Sequence, residues 1–260
     1  MEALASALER GPFSRLWLGD RTTFDDERAA FDPFVLAGAM ARFTTGLRLG
    51  VVAGADRLPA PLAKQATTLD VISEGRAELA LRVRSEPPDA GARAAEALRV
   101  CRSVLEDRHP AFDGRFYRVD GAVNHPRPVQ RGGIPLSGVV DAADIAVGTV
   151  PDLWALVDTV VAVGEVERLT GAKELLGSVG RSGTPPPGEP VELWWCTPRW
   201  SPSPGRGRGG GRGGAEIDDL VAGARRAAAV GVDGVMVCSA EIPGPETVAA
   251  LTDRLGFAPG

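Results

Sequence analysis

The side chains that most often carry catalysis are sparse in this sequence. It has two histidines, His109 in Asp-Arg-His-Pro and His125 in Asn-His-Pro. Both fall in segments that read as loops, and neither has a partner at metal-ligand or triad spacing. Cys101, Cys196 and Cys238 stand far apart and make no Cys-x-x-Cys pair. Neither a zinc site nor a disulfide framework is indicated, and buried thiols are the plainer reading. What remains are the residues that close predicted strands. Residues 13–20, FSRLWLGD, end in Asp20 and are followed by Arg21. A guanidinium stays protonated at any working pH, so Arg21 cannot move a proton. It can bind a phosphate or a carboxylate, or it can be a solvated arginine after a strand. Ala53-Gly54 closes another predicted strand with small residues, which either admit a close ligand or make an ordinary turn. Ser137-Gly138 can offer backbone amides to a phosphate, or the glycine can relieve packing. Thr197 and Ser239, at the ends of the last two predicted strands, are weaker candidates.

The elements that must position these residues are plainest between 57 and 83, RLPAPLAKQATTLDVISEGRAELALRV. Leu62, Ala66, Leu69 and Ser73 recur at three- and four-residue spacing and lay one stripe along a helix. Pro59 or Pro61 suits its first turn, where no amide hydrogen is required. Gly75 ends it where a positive φ is cheap, and 78–83 reads as a strand buried on both faces. A helix at 2–9 precedes the 13–20 strand and stops at Gly11-Pro12. Asp32-Pro33 opens a further helix, Asp as cap and Pro at the first helical position, and a strand follows at 47–53. Ala94, Leu98, Cys101 and Leu105 mark the next helix. Strands are then expected at 134–140 and at 143–148, a helix at 151–163, a strand at 191–197 with Trp194 and Trp195 on opposite faces, a helix from 217, a strand at 234–239 and a closing helix through Val248, Leu251 and Leu255. Alternating strands and helices predict a parallel α/β fold. The spacing of 134–140 and 143–148 is too short for a parallel crossover, so one crossover helix is expected to be lost.

Arg57-x-Pro59-x-x-Leu62-Ala63-Lys64, Ala66-Thr67-Thr68-Leu69-Asp70 and Ser73-x-Gly75-Arg76 resemble the signature of the bacterial-luciferase-like monooxygenases. Leu16 to Asp20, the run from Asp32-Pro33-Phe34 through Leu49-Gly50, Phe112-x-Gly114-x-x-Tyr117 and Pro126-Arg127-Pro128-Val129-Gln130 extend the likeness. The resemblance implies a (β/α)8 TIM barrel, here incomplete, with the family's first strand and one crossover helix missing. It implies an oxidoreductase, a monooxygenase or a hydride-transfer enzyme, using FMN or the deazaflavin coenzyme F-420 on a small organic substrate. The site would lie at the carboxyl ends of the strands, with the flat ring against Ala53 and Gly54, Ser137 and Gly138 near a phosphate, and the substrate over Asp20 and Arg21. Two departures stand out. Arg21 replaces a histidine that deazaflavin-using members carry, and Leu81-Arg82-Val83-Arg84-Ser85-Glu86 replaces a glycine-rich turn. They motivate a second reading, a catalytically degenerate paralogue that binds a cofactor or serves as a partner subunit.

Bulk properties narrow the remaining classes. At 260 residues one barrel domain is the expectation for 1–260, interrupted by the low-complexity Gly/Arg/Pro loop at 201–214. A net charge of −5 makes general nucleic-acid binding an unsuitable reading, despite the single RGRGGGRGG run. No apolar run reaches the roughly 20 residues of a membrane helix, and the acidic start MEALASALER does not resemble a secretory signal. A cytoplasmic protein acting on a small molecule, alone or as a homo- or hetero-oligomer, is expected.

Overall fold

The computed structural model describes residues 1–19, 31–54, 57–83, 88–146, 151–177, 191–197, 213–238 and 243–255. The chain starts with α1 (Glu2–Arg10), whose Leu4, Ala5 and Leu8 are buried. β1 (Arg15–Gly19), α2 (Pro33–Ala41), β2 (Arg48–Gly54), α3 (Pro59–Ile72) and β3 (Ala77–Arg82) follow in strict alternation. The caps are those the sequence specifies. Asp32 accepts hydrogen bonds from the Phe34 and Val35 amides at 2.9 and 3.1 Å, with Pro33 in the first helical turn. Leu62, Ala66, Leu69 and Ser73 are all at most 2% exposed, so the stripe is the buried face of α3. Gly75 has φ +87°, the left-handed value its place after the helix requires.

β2 and β3 are parallel neighbours, with Leu49 beside Ala77 and Gly54 beside Arg82. This is the pairing on which the whole reading depends, and it extends to seven described strands. After α4 (Ala90–Glu106) and a small antiparallel pair, β4 (Ala111–Asp113) with β5 (Arg118–Asp120), come β6 (Leu136–Asp141), β7 (Thr159–Val163), β8 (Glu192–Cys196) and β9 (Gly234–Met236). The sheet order is β1-β2-β3-β6-β7-β8-β9, and every neighbouring pair is parallel. α8 (Gly213–Ala229) and α9 (Pro245–Leu255) complete the outer layer.

The segment from 134 to 163 differs from its sequence reading. Residues 143–146 are helix and not strand, and 147–148 lie outside the described residues. α5 (Ala142–Ala146) begins there, because the Asp141 carboxylate accepts the Ala143 amide at 2.8 Å and starts a helical turn. The expected helix at 151–163 survives only as α6 (Pro151–Trp154), and its second half is β7. Among the described residues the crossover from β6 to β7 carries two short helical stretches, α5 and α6. Asp158 fixes the change: its carboxylate accepts the Leu136 amide at 2.8 Å and its own amide donates to the Leu136 carbonyl at 2.8 Å. Both bonds draw Thr159-Val160-Val161 to the sheet, where β-branched side chains pack well. The next crossover holds a 3₁₀ turn (Val166–Leu169) and α7 (Ala172–Gly177), neither of which was foreseen.

The sheet curls. Arg15 on β1 contacts Glu192 and stacks over Trp194 on β8, at 3.4 and 4.3 Å, five strands away in the sheet order. Outside, Val248 of α9 shares a buried cluster with Leu4 and Leu8 of α1. The result is an incomplete parallel barrel. β1 and β9 are its edges, with no pairing between them among the described residues.

Candidate functional site

Two buried layers show which way each strand residue points. Leu79, Leu81, Leu136, Val140, Val160, Ala162, Leu193 and Trp195 pack outward under the helices. Ala80, Val139, Val161 and Cys196, with Trp17, Val52, Val163, Trp194, Met236 and Cys238, fill the interior. Alternation along each strand then assigns the rest. The amino end of the barrel is plugged. Glu78, with its side chain 4% exposed, accepts from Arg15 Nε at 3.1 Å and pairs with Arg48, which also donates to Gln130 at 2.7 Å. Glu192 accepts from Trp194 Nε1 at 3.0 Å. Trp17 and Trp194 lie flat on glycines of the neighbouring strands. A Cβ at Gly50 would sit 2.2 Å from the Trp17 ring, and one at Gly234 would sit 2.4 Å from the Trp194 ring. Only glycine admits such contacts. Trp17 Nε1 is buried and has no acceptor among the described residues.

The other end is that of the strand carboxyl termini, where barrels of this architecture carry their working loops. Its inward residues include Gly19 on β1, Gly54 on β2, Arg82 on β3, Asp141 on β6 and Val163 on β7. The structure thus separates the predicted pair Ala53-Gly54. Ala53 is fully buried beneath the helices beside Leu62 and Leu81, and Gly54 alone faces the mouth. Ser137 and Gly138 do not reach the mouth. They lie near the start of β6, Ser137 1% exposed beside Ala80 and Thr159, and a Cβ on Gly138 would meet Leu153 of α6 at 3.2 Å. Gly138 is a packing residue, and the residue β6 delivers to the opening is Asp141. Thr197 is buried, and its Oγ1 accepts the Cys238 amide at 2.9 Å, which ties the end of β8 to the residue two beyond β9. Asp20, Arg21, Ser239 and residues 201–212 of the expected loop lie outside the described residues, and its last two residues, 213 and 214, already belong to α8.

Arg82 and Asp141 are the mouth residues that the sequence reading missed. Both sit in apolar runs buried on two faces, which carry no polar alternation to reveal direction. The one available signal was a charged residue closing an apolar strand. Beneath them, Cys196 and Cys238 share the interior cluster. The Cys196 thiol is pushed up, first by its hydrogen bond with the Cys238 side chain and then by burial, while the Arg82 charge pulls the other way. Among the described residues, no group of three His, Cys, Asp or Glu side chains could hold a metal ion, and no helix is long and apolar enough to cross a membrane.

Comparison with known proteins gives this geometry its context. No curated protein matches the sequence. Among solved structures, the coenzyme F-420 dependent tetrahydromethanopterin reductase from Methanopyrus kandleri superposes with a TM-score of 0.70 at 15% identity, covering 96% of this chain and 91% of that one. An F-420-dependent secondary alcohol dehydrogenase in complex with an F-420-acetone adduct gives 0.72 at 13% identity, covering 99% and 94%. The EDTA monooxygenase from Chelativorans sp. BNC1 gives 0.69 at 15% identity, covering 98% and 85%. At these identities the likeness establishes the fold. The family itself is established by its profile, described as luciferase-like monooxygenase, which matches residues 1–162 and so more than half of the chain. This chain belongs to the luciferase-like monooxygenase family.

Proposed function

We propose that the protein is an oxidoreductase that binds reduced FMN or coenzyme F-420 in the barrel mouth, against the β1–β2 wall. The observation that carries this reading is that, among the described residues, the inward strand ends of β1 and β2 are both glycine. Gly19 and Gly54 both point inward at the strand carboxyl ends, and a Cβ at Gly19 would meet nothing within 4 Å among the described residues. A flat tricyclic ring needs such a wall, since any side chain would hold it off the backbone. The residues present therefore fit the group. Similar structures include F-420-dependent enzymes and a monooxygenase, in line with either cofactor.

Once bound, the cofactor supplies the hydride or the oxygen chemistry, and the protein's task is to hold, orient and shield it. Gly54 sets the depth at which the ring lies, and the indole-and-ion-pair plug at the amino end keeps water from entering beneath it. Asp20 and Arg21, which directly follow Gly19 in the chain, are proposed to face the substrate. There Arg21 can neutralise an anionic group but cannot relay a proton. The open edges of β1 and β9 support a second reading, in which another subunit pairs along them. Light scattering tests that reading directly, since a strictly monomeric and stable protein contradicts it.

The test of the main reading is a titration of purified protein with FMN and with F-420, oxidised and reduced, followed by tryptophan emission and by the cofactor's own absorbance. Saturable binding of one of them at micromolar concentration is expected. No binding of any of the four at high micromolar concentration removes the enzyme reading.

A further inference from the structure

Among the described residues, charged side chains on the barrel's inner face are, with one exception, committed to partners. At the amino end, Arg15, Arg48, Glu78 and Glu192 satisfy one another. At the mouth, an Asp141 carboxylate oxygen accepts the Ala143 amide. Arg82 stands apart. It is the last residue of β3, points inward by alternation with interior Ala80, and is exposed. Among the described residues it makes no ion pair and no hydrogen bond through its side chain, and its register neighbours are Gly54, which has no side chain, and Val139. Its charge is nonetheless felt by Cys196 on β8, three strands further round the sheet. By alternation and exposure the group faces the carboxyl end of the barrel, beside Gly54.

We propose that Arg82 is the anion anchor of the mouth, binding through its guanidinium an oxyanion, a phosphate or a carboxylate, carried by the small molecule held there. A guanidinium offers donors in a fixed fork that matches both groups, and such charge-assisted bonds are the strong ones. The placement also sets the order of the site: flat ring on the β2 side and anionic group on the β3 side, one strand spacing of about 4.8 Å apart at the backbone. The proposal deepens the cofactor reading above, because the anion belongs either to the cofactor's phosphate or to the substrate.

The experiment compares wild type, Arg82→Leu and Arg82→Lys. Each is titrated with FMN, with riboflavin, which is the same ring without the phosphate, and with inorganic phosphate, following tryptophan emission and confirming the fold by far-UV circular dichroism. Weaker inorganic phosphate binding in Arg82→Leu, by about tenfold or more and partly restored in Arg82→Lys, supports the anchor. If FMN binding weakens by the same factor while riboflavin binding does not change, the anion is the cofactor's. If FMN and riboflavin bind Arg82→Leu alike and only phosphate binding is lost, the anion is the substrate's. Unchanged binding of all three in a folded Arg82→Leu protein overturns the proposal and leaves the cofactor reading standing. Conversely, Arg82-dependent phosphate binding in a wild-type protein that takes up neither FMN nor riboflavin keeps the anchor and defeats FMN as the cofactor. Equal losses for FMN and riboflavin with inorganic phosphate binding unchanged also overturn it, since Arg82 would then act on the ring.

Discussion

Replacing Glu78 with alanine tests the plug that closes the amino end of the barrel. The Glu78 side chain is 4% exposed and is shared by two arginines, Arg15 at 3.1 Å and Arg48. Removing one partner of a fully buried ion pair typically costs about 3–5 kcal/mol, because the remaining charge is left uncompensated. Here the two guanidiniums are 22% and 31% exposed, and each keeps a second partner, Glu192 for Arg15 and Gln130 for Arg48. Water and those partners relieve part of the penalty, so about 2–3 kcal/mol is expected. For a chain of this size that lowers Tm by about 4–12 °C. Urea unfolding of Glu78→Ala, Arg48→Ala and the double variant, followed by circular dichroism, should give a coupling of about 1–2 kcal/mol. By contrast Glu192→Ala, at a side chain 45% exposed, should cost less than about 1 kcal/mol. A Glu78→Ala protein within about 0.5 kcal/mol of wild type would show that the cluster does not hold the strands together and would refute the reasoning.

Two further outcomes follow from the same structure. Gly50→Val places carbon where the Trp17 ring lies, 2.2 Å from the Cβ position, and overpacking of this kind costs about 1–3 kcal/mol; the added change Trp17→Leu should recover part of it, and additive losses in urea melts would contradict the contact. Glu9 is held down to about 2 from 4.5, since burial, which raises it, is outweighed by amide hydrogen bonds from Gly46, Leu47 and Thr45. A carboxylate lower in the folded than in the unfolded chain stabilises the fold above the unfolded value, and that stability drains away as pH falls from about 4.5 towards 2. For a part-exposed group about 1 kcal/mol is at stake, so Glu9→Gln should be less stable than wild type at pH 7 and converge with it near pH 2.

Where the sequence is legible, the reason is periodicity with clear punctuation. From Pro59 to Arg82, a 3.6-residue stripe, a positive-φ glycine and an apolar strand leave a single arrangement open, and the structure has it. Between 134 and 163 the same rules mislead. Leu153, Leu156, Val157 and Val160 fit a helical stripe, yet Asp158 anchors the chain to β6 and hands Thr159–Val163 to the sheet. The run Thr-Val-Val-Ala-Val carried the contrary signal, because β-branched side chains favour strands. At the site, the limit is direction. A strand buried on both faces has no polar alternation, so Ala53 and Gly54, or Ser137 and Gly138, cannot be sorted into inner and outer from their types. Only the register of the neighbouring strands separates Gly54 and Arg82 from Ala53 and Gly138.

The central claim is that a flat cofactor lies on the bare backbone at the end of β2, and one substitution addresses it most directly. Gly54→Val adds a branched side chain at an inward position facing the opening, on a strand where valine is at home, so the fold should persist. Measured side by side with wild type in the FMN and F-420 titrations, the variant is predicted to lose binding of whichever cofactor wild type takes up, with an unchanged circular dichroism spectrum. A folded Gly54→Val protein that binds that cofactor as tightly as wild type would place the ring elsewhere and contradict the account.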